Sequence, residues 1–387
     1  MILRGGRVAI DADSAVRRDV AISRGRIMAE ASGPAIDVTG HMILPGLINA
    51  HDHLSFNLFP LLGRPPYANA TEWARDIYKP DQSPVREHRA VPRPMRLAWG
   101  GLKNLVSGVT TVAHHDPDPA RAFGAQFPVR IAKAGWAHSL AFTPDIAKRM
   151  RRTPQDVPFI LHLGEATDSE GAREIFELDR RGLLDQRVVL VHGVALDARG
   201  WRRVKTRKAS LIACPVSNLF TLRRTIGRSA FQAGVRIALG TDSAITAPGD
   251  ILDALRAGRN IWRLSAARLY RMVTSEAAAI LRLDDGRGSI CEGGAADLIV
   301  VRDCGRTPAA TLLDLREIEM SIVKGRIRLV SERFREWAGP RFEWLSIEER
   351  GRRMVDAPVG ELYQEAAARV GTPLKLAGRR VLIRRNK

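Results

Sequence analysis

The sequence predicts an α/β protein: a closed (β/α)8 barrel of the TIM type, carrying a small discontinuous β-sandwich built from both ends of the chain. Three observations support this. From about residue 47 to residue 287, short apolar runs alternate with amphipathic stretches, the pattern of parallel strands joined by helical crossovers. Histidines and acids cluster at the carboxyl ends of those runs, where barrels carry their chemistry. Residues 1–46 and 288–330 show turn-punctuated alternation of apolar and polar residues, which reads as antiparallel β structure. The remaining segment, 331–387, is expected to be a basic helical extension packing on the rest or on a second copy.

Composition sets the outer bounds. A chain of 387 residues with 45% hydrophobic content can bury a substantial core. No apolar run is long enough to span a bilayer, and Arg4 to Arg18 lacks a signal-peptide core, so a cytoplasmic protein with no membrane contact is expected. Cys214, Cys291 and Cys304 are widely spaced and form no Cys-x-x-Cys, a pattern that suggests neither a disulfide framework nor a thiolate zinc knuckle. The formal charge of +19 permits anionic contacts. The arginines are nevertheless spread along the whole chain without a recognition motif, so a small-molecule substrate is expected and nucleic acid is not; a homodimer is compatible with the composition.

In chain order, Gly-Gly at 5 and 6 and Arg-Gly-Arg at 24–26 mark turns of a small meander. Pro45-Gly46 then opens the strand Leu47-Ile48-Asn49-Ala50-His51-Asp52-His53. Alternate side chains of a strand share a face, so His51 and His53 point the same way and can serve one cation; taken alone, the pattern fits two solvated histidines equally well. His41, ahead of the turn, reads as structural. Residues 54–94 form a long aromatic and Pro/Gly-rich loop containing Asn57 and Trp73, either a binding loop or a rim packed by its own aromatics. A helix over 95–107 leads to a strand ending in His114-His115, followed by a helix over 128–134 and a strand over 136–142. The next strands end at His162 (with Glu165 three residues on), at His192, at Cys214-Pro215-Val216-Ser217-Asn218 and at Thr241-Asp242-Ser243. Seven strands can be placed; residues 142–158 leave room only for a degenerate unit.

With these strand ends assembled, residues 2–329 resemble the amidohydrolase superfamily, specifically the mononuclear group that holds cytosine deaminase, guanine deaminase and the triazine chlorohydrolases. The resemblance rests on Pro-Gly-Leu-Ile-Asn-Ala-His-Asp-His, Gly-Val-Thr-Thr-Val, His-Leu-Gly-Glu, Val-His-Gly, Cys-Pro-Val-Ser-Asn, Gly-Thr-Asp-Ser and Gly-Gly-Ala-Ala-Asp-Leu-Ile-Val-Val, in that order. It implies a metal held by His51, His53, His162 and Asp242, with Glu165, His192 and Asp242 as the catalytic groups. No lysine stands where two-metal members keep their bridging carbamate (Lys148 reads as loop), so one divalent ion is implied, Zn2+ first, with Fe2+ or Mn2+ compatible with N/O ligands. Asn57, Trp73, His114, His115 and Ser243 are candidate substrate contacts. The implied activity is hydrolysis of a non-peptide C–N bond, with deamination of an aminated heterocycle first. Opening of a cyclic amide is the alternative, and a silent barrel binding anionic partners is the alternative of another class.

Overall fold

The structure, a computed structural model, describes residues 1–118, 120–371 and 373–382. Its centre is a parallel barrel. Strands β1 (Leu47–Asp52), β2 (Val109–His114) and β3 (Arg130–Ile131) form one three-stranded sheet. Strands β4 (Gly135–Ala137), β5 (Phe159–Leu163), β6 (Val188–His192), β7 (Ser210–Ala213) and β8 (Arg236–Leu239) form a five-stranded one. A parallel bridge between Asp52 and Asp242 joins the two at the carboxyl ends of β1 and β8. Gly240 makes that closure possible, since a Cβ there would lie 2.8 Å from His51 Cβ.

The helix expected over 128–134 is corrected. Those residues contain β3, and the strand expected over 136–142 is confined to β4. Only three extended residues separate β3 from β4, whereas neighbouring parallel strands need a crossover of about a dozen residues or more. The two are therefore one interrupted strand, its first half paired with β2 and its second half with β5. The barrel thus has the third and fourth units of its class merged. The crossover to β5 is the short helix Ile146–Arg152, which also carries Lys148.

The two flanks share a sheet. Strand His41–Pro45 pairs antiparallel with Leu298–Arg302 in a ten-stranded sheet, and the four-stranded sheet formed by Ile2–Arg4, Val20–Ser23, Arg26–Met28 and Ala35–Asp37 adds the second layer. Leu3, Ile36, Ile43, Val300 and Ile322 fill the space between. His41 is buried, bonded to Thr39 O and set edge-on to Phe334, a structural place.

The helical extension over 331–387 is also corrected. It holds one α-helix, Val359–Val370, while Glu343–Ile347, Gly351–Val355 and Arg379–Leu382 continue the ten-stranded sheet. Leu345 and Ile347, like Arg353 and Val355, are buried at a period of two, while Arg352 faces out and Glu343 and Gly351 are exposed at the strand starts, so the cations that suggested a solvated helix belong to strands instead. Among the described residues no helix is long and apolar enough to cross a membrane.

Candidate metal centre

The carboxyl ends of β1, β5, β6 and β8 bring the sequence-predicted residues His51, His53, His162, His192, Glu165 and Asp242 together. His51 Nε2 lies 3.2 Å from His162 Nε2 and 3.7 Å from Asp242 Oδ1, and His53 Nε2 lies 3.6 Å from the same oxygen. Backbone pairing fixes this convergence: Thr241 N–H donates to His51 O at 3.0 Å and His53 N–H to Asp242 O at 2.7 Å. His192 and Asp242 both hold positive φ, 75° and 63°, where side chains other than glycine are uncommon. That sharp exit from the strand turns both groups inward.

Each group is oriented from behind. His53 Nδ1–H donates to Asp116 Oδ1 at 3.0 Å, which leaves Nε2 free to face Asp242. Ser217 and Thr246 hydroxyls donate to Asp242 Oδ2 at 2.6 and 3.0 Å, which leaves Oδ1 facing the imidazoles. His192 Nδ1–H donates to Asn218 Oδ1 at 2.7 Å, and its Nε2 lies 3.4 Å from Glu165 Oε2.

The electrostatics divide these groups. Burial pushes His51 down to about 4, against the pull of Asp242, and holds His162 well below its ordinary value. Burial works the same way on His53, but Asp116 outweighs it and holds that ring up at about 9. Burial lifts Glu165 to about 7, helped by Asp242 and Glu174 and opposed by His192 and His53.

The donor set fits a cation. His51 and His162 are buried neutral rings whose Nε2 atoms face each other, a contact that one proton at most can bridge, and both Nδ1 atoms lack a hydrogen-bond partner. His51, His53 and Asp242 present ligand atoms that all lie within 4.8 Å of one another, as do His51, His115 and His162, and imidazole nitrogens with a carboxylate oxygen are zinc-type donors.

A model of the amidohydrolase family matches residues 138–328, a span that carries His162, Glu165, His192 and Asp242. Over that span the chain is similar to the amidohydrolase family. Its relatives include a 5-methylthioadenosine/S-adenosylhomocysteine deaminase of Pyrococcus furiosus, 27% identical over 380 residues, covering 78% of this chain and 86% of that protein. The fold matches atrazine chlorohydrolase from Arthrobacter aurescens TC1, solved with zinc, at a TM-score of 0.72 and 19% identity, over 95% of this chain and 99% of that one. It also matches a zinc-bound adenosine deaminase from Xanthomonas campestris at 0.69 and 19%, over 95% and 97% of the two chains.

A cavity of about 360 Å³ opens from this centre, lined among others by Asn69, Arg75, His138, Phe142, His162 and Glu165. The candidate substrate contacts divide. His115 belongs to the centre, its ring stacked 4.7 Å from that of His162 and its Nε2–H donating to Ala137 O. His114 does not: its Nε2 bonds Asp118 Oδ2 at 2.8 Å and its Nδ1 accepts the Leu54 N–H. Asn57 is corrected from substrate contact to core. It donates to Asp52 Oδ1 at 2.7 Å and accepts from Lys103 Nζ at 2.8 Å, away from the cavity. Trp73 Nε1–H donates to Leu62 O, so the indole packs the rim of the loop. Ser243 is buried, and its carbonyl accepts the Thr246 and Ala247 N–H groups, which places Thr246 against Asp242.

Sequence reasoning missed Asp116, His138, Ser217, Asn218 and Lys103. Ser217 and Asn218 stand in a motif already noted, at a strand end like the ligands, and that position was their signal. Asp52 points opposite to its histidine neighbours and meets Lys103 Nζ at 3.4 Å, together with Asn49, Asn104 and Thr241. This is a buried ionic knot behind the ligand strand.

Proposed function

We propose that this protein removes an amino group, as ammonia, from an aminated heterocycle, with one divalent cation, Zn2+ ahead of Fe2+ or Mn2+, held by His51, His53, His162 and Asp242. Glu165 carries the proposal: a largely enclosed carboxyl on the cavity wall whose pKa is lifted to about 7, three residues after His162 and 3.4 Å from His192 Nε2. A cation of this kind supplies positive charge that lowers the pKa of water toward about 7 and polarises the substrate. Glu165 takes a proton from the attacking water and delivers it on the nitrogen side of the ring, so that the C–NH2 carbon gains oxygen and ammonia leaves. His192, fixed in one tautomer by Asn218, holds its Nε2 toward that exchange. Asp242 keeps Oδ1 toward the imidazoles while Ser217 and Thr246 occupy Oδ2. The deaminase relatives support the reaction class, and the nucleoside-derived compounds in their names are the first substrates to try.

The test is ammonia release by metal-replete protein from aminopurines, their nucleosides, aminopyrimidines and amino-triazines, with Glu165→Gln as background. Release from one class, with turnover lost and metal kept in Glu165→Gln, is expected. Intact substrates throughout, with ring opening of a lactam or imidazolone instead, would replace deamination by cyclic amide hydrolysis.

A further inference from the structure

Beside Arg130, the first residue of β3, and around a cavity that shares no lining residue with the histidine centre's, two hairpin turns meet backbone to backbone. One, at Arg24-Gly25, joins Val20–Ser23 to Arg26–Met28; the other, at Lys324-Gly325, joins Met320–Val323 to Arg326–Ser331. Each holds two consecutive residues at positive φ, 47° and 77° in the first, 56° and 70° in the second, the tight two-residue hairpin geometry. A Cβ on Gly325 would lie 2.7 Å from Gly25 Cα, so glycine is required for the contact. Ala296 clamps both turns, its N–H donating to Gly25 O and its carbonyl accepting from Gly325 N–H, each at 2.9 Å.

The clamp sets Arg24, Arg26, Lys324 and Arg326 around a cavity of about 670 Å³, with Arg130 and Arg328 also lining it. Those last two are paired, Arg130 with Asp297 at 2.7 Å and Arg328 with Asp356 at 2.6 Å. Asp285, on the same wall, is taken by Arg287 at 2.7 Å. The first four have no ion-pair partner among the described residues. A concave site lined by six cations and one carboxylate that is already paired concentrates anions.

We propose that this cleft binds a compact, multiply charged phosphate group, such as a pyrophosphate or triphosphate, at a site separate from the histidine centre. Among the described residues no aromatic side chain lines the cavity to offer a platform for stacking bases, and recognition falls on the phosphates themselves. The cations converge on one cavity instead of running in a stripe, which favours a small anion over a nucleic-acid strand. Lys324 is held below its ordinary pKa by burial, then by Arg130, with Arg328 and Arg287 adding to the effect and Asp297 opposing it. An anion in the cleft would relieve that repulsion.

Inorganic tripolyphosphate is the probe, titrated calorimetrically into the full chain at constant ionic strength. Saturable binding is expected, weakened at least tenfold in Arg24→Gln/Arg326→Gln and at least fivefold in Lys324→Gln. The charge-matched pair Arg152→Gln/Arg202→Gln, exposed on other faces, should stay within twofold of the wild type. Equal weakening by both pairs, or no saturable binding, would overturn the proposal. So would tighter binding of a single-stranded oligonucleotide through the same residues. Should the double variant misfold, Lys324→Gln alone decides.

Discussion

Replacing Lys103 by Met probes the knot behind the ligand strand. Lys103 and Asp52 are 1% and 0% exposed, with Nζ 3.4 Å from Oδ2. At an effective dielectric of about 20 that separation corresponds to roughly 5 kcal/mol of gross attraction. Lys103 also donates to Asn57 Oδ1 at 2.8 Å and Thr241 Oγ1 at 3.1 Å, and both bonds go with it. Two effects offset the loss: methionine has no ammonium to desolvate, and Asp52 keeps donors from Asn49, Asn57, Asn104 and Thr241. The net cost should therefore be about 3 kcal/mol, the low end for breaking a buried pair by removing one partner. Urea unfolding of the metal-loaded protein measures it. Asp52→Asn should cost a similar amount, and the double variant Asp52→Asn/Lys103→Met should recover at least about 2 kcal/mol of the summed loss, because neither charge is then stranded. A single-variant cost below about 1 kcal/mol, or strict additivity in the double variant, would refute the idea that this ion pair holds the ligand strand in place.

Asp116→Asn should weaken metal retention about 10- to 100-fold, read by competition with a chromophoric chelator, because His53 loses the carboxylate that orients it; an unchanged affinity would count against that orientation. Asn218→Ala should lower kcat about tenfold or more with metal content intact, since His192 Nδ1–H loses its acceptor; depletion of the metal instead would make His192 a ligand. Asp118 gives a pH signature: burial alone would raise its pKa, but bonds from His114 and Arg93 hold it at about 2. Its stabilising contribution is fully present above the ordinary aspartate range and fades as pH falls toward 2. The stability gap between wild type and Asp118→Asn, on the order of 2 kcal/mol at pH 6, should shrink by about half at pH 3 in urea unfolding. A constant gap would mean that the carboxylate's ionisation is not what the site uses.

The candidate ligand histidines His51 and His53 stood out because a strand of period two that ends in His-x-His leaves its mark in a few adjacent letters, and His162, His192 and Asp242 stood out as single polar groups at or just past later strand ends. The partners that orient them were less legible, because Asp116 meets His53 across 63 residues and Ser217 meets Asp242 across 25, contacts that no local pattern encodes. Strands β3 and β4, of two and three residues, are too short to show alternation, and Ile131, Ala132 and Ala134 mimic a helix face. Asn57 and Trp73 looked like substrate contacts because polar and aromatic residues in a long loop suit either a pocket or a rim; only the placement of Lys103 beneath the loop decides for Asn57. The C-terminal strands were hidden by arginines, whose long cationic chains dominate composition whichever face they occupy.

The pairing of His41–Pro45 with Leu298–Arg302 fixes an order of events on the ribosome. The amino-terminal strand emerges first, yet its partner is made roughly 250 residues later, about 10–50 s at ordinary elongation rates. Through that interval the barrel is being completed while an apolar edge waits without its neighbour. An open strand edge of this kind invites pairing with other chains. The nascent polypeptide is therefore exposed to aggregation and to chaperone capture along the His41–Pro45 edge until the closing β segment arrives.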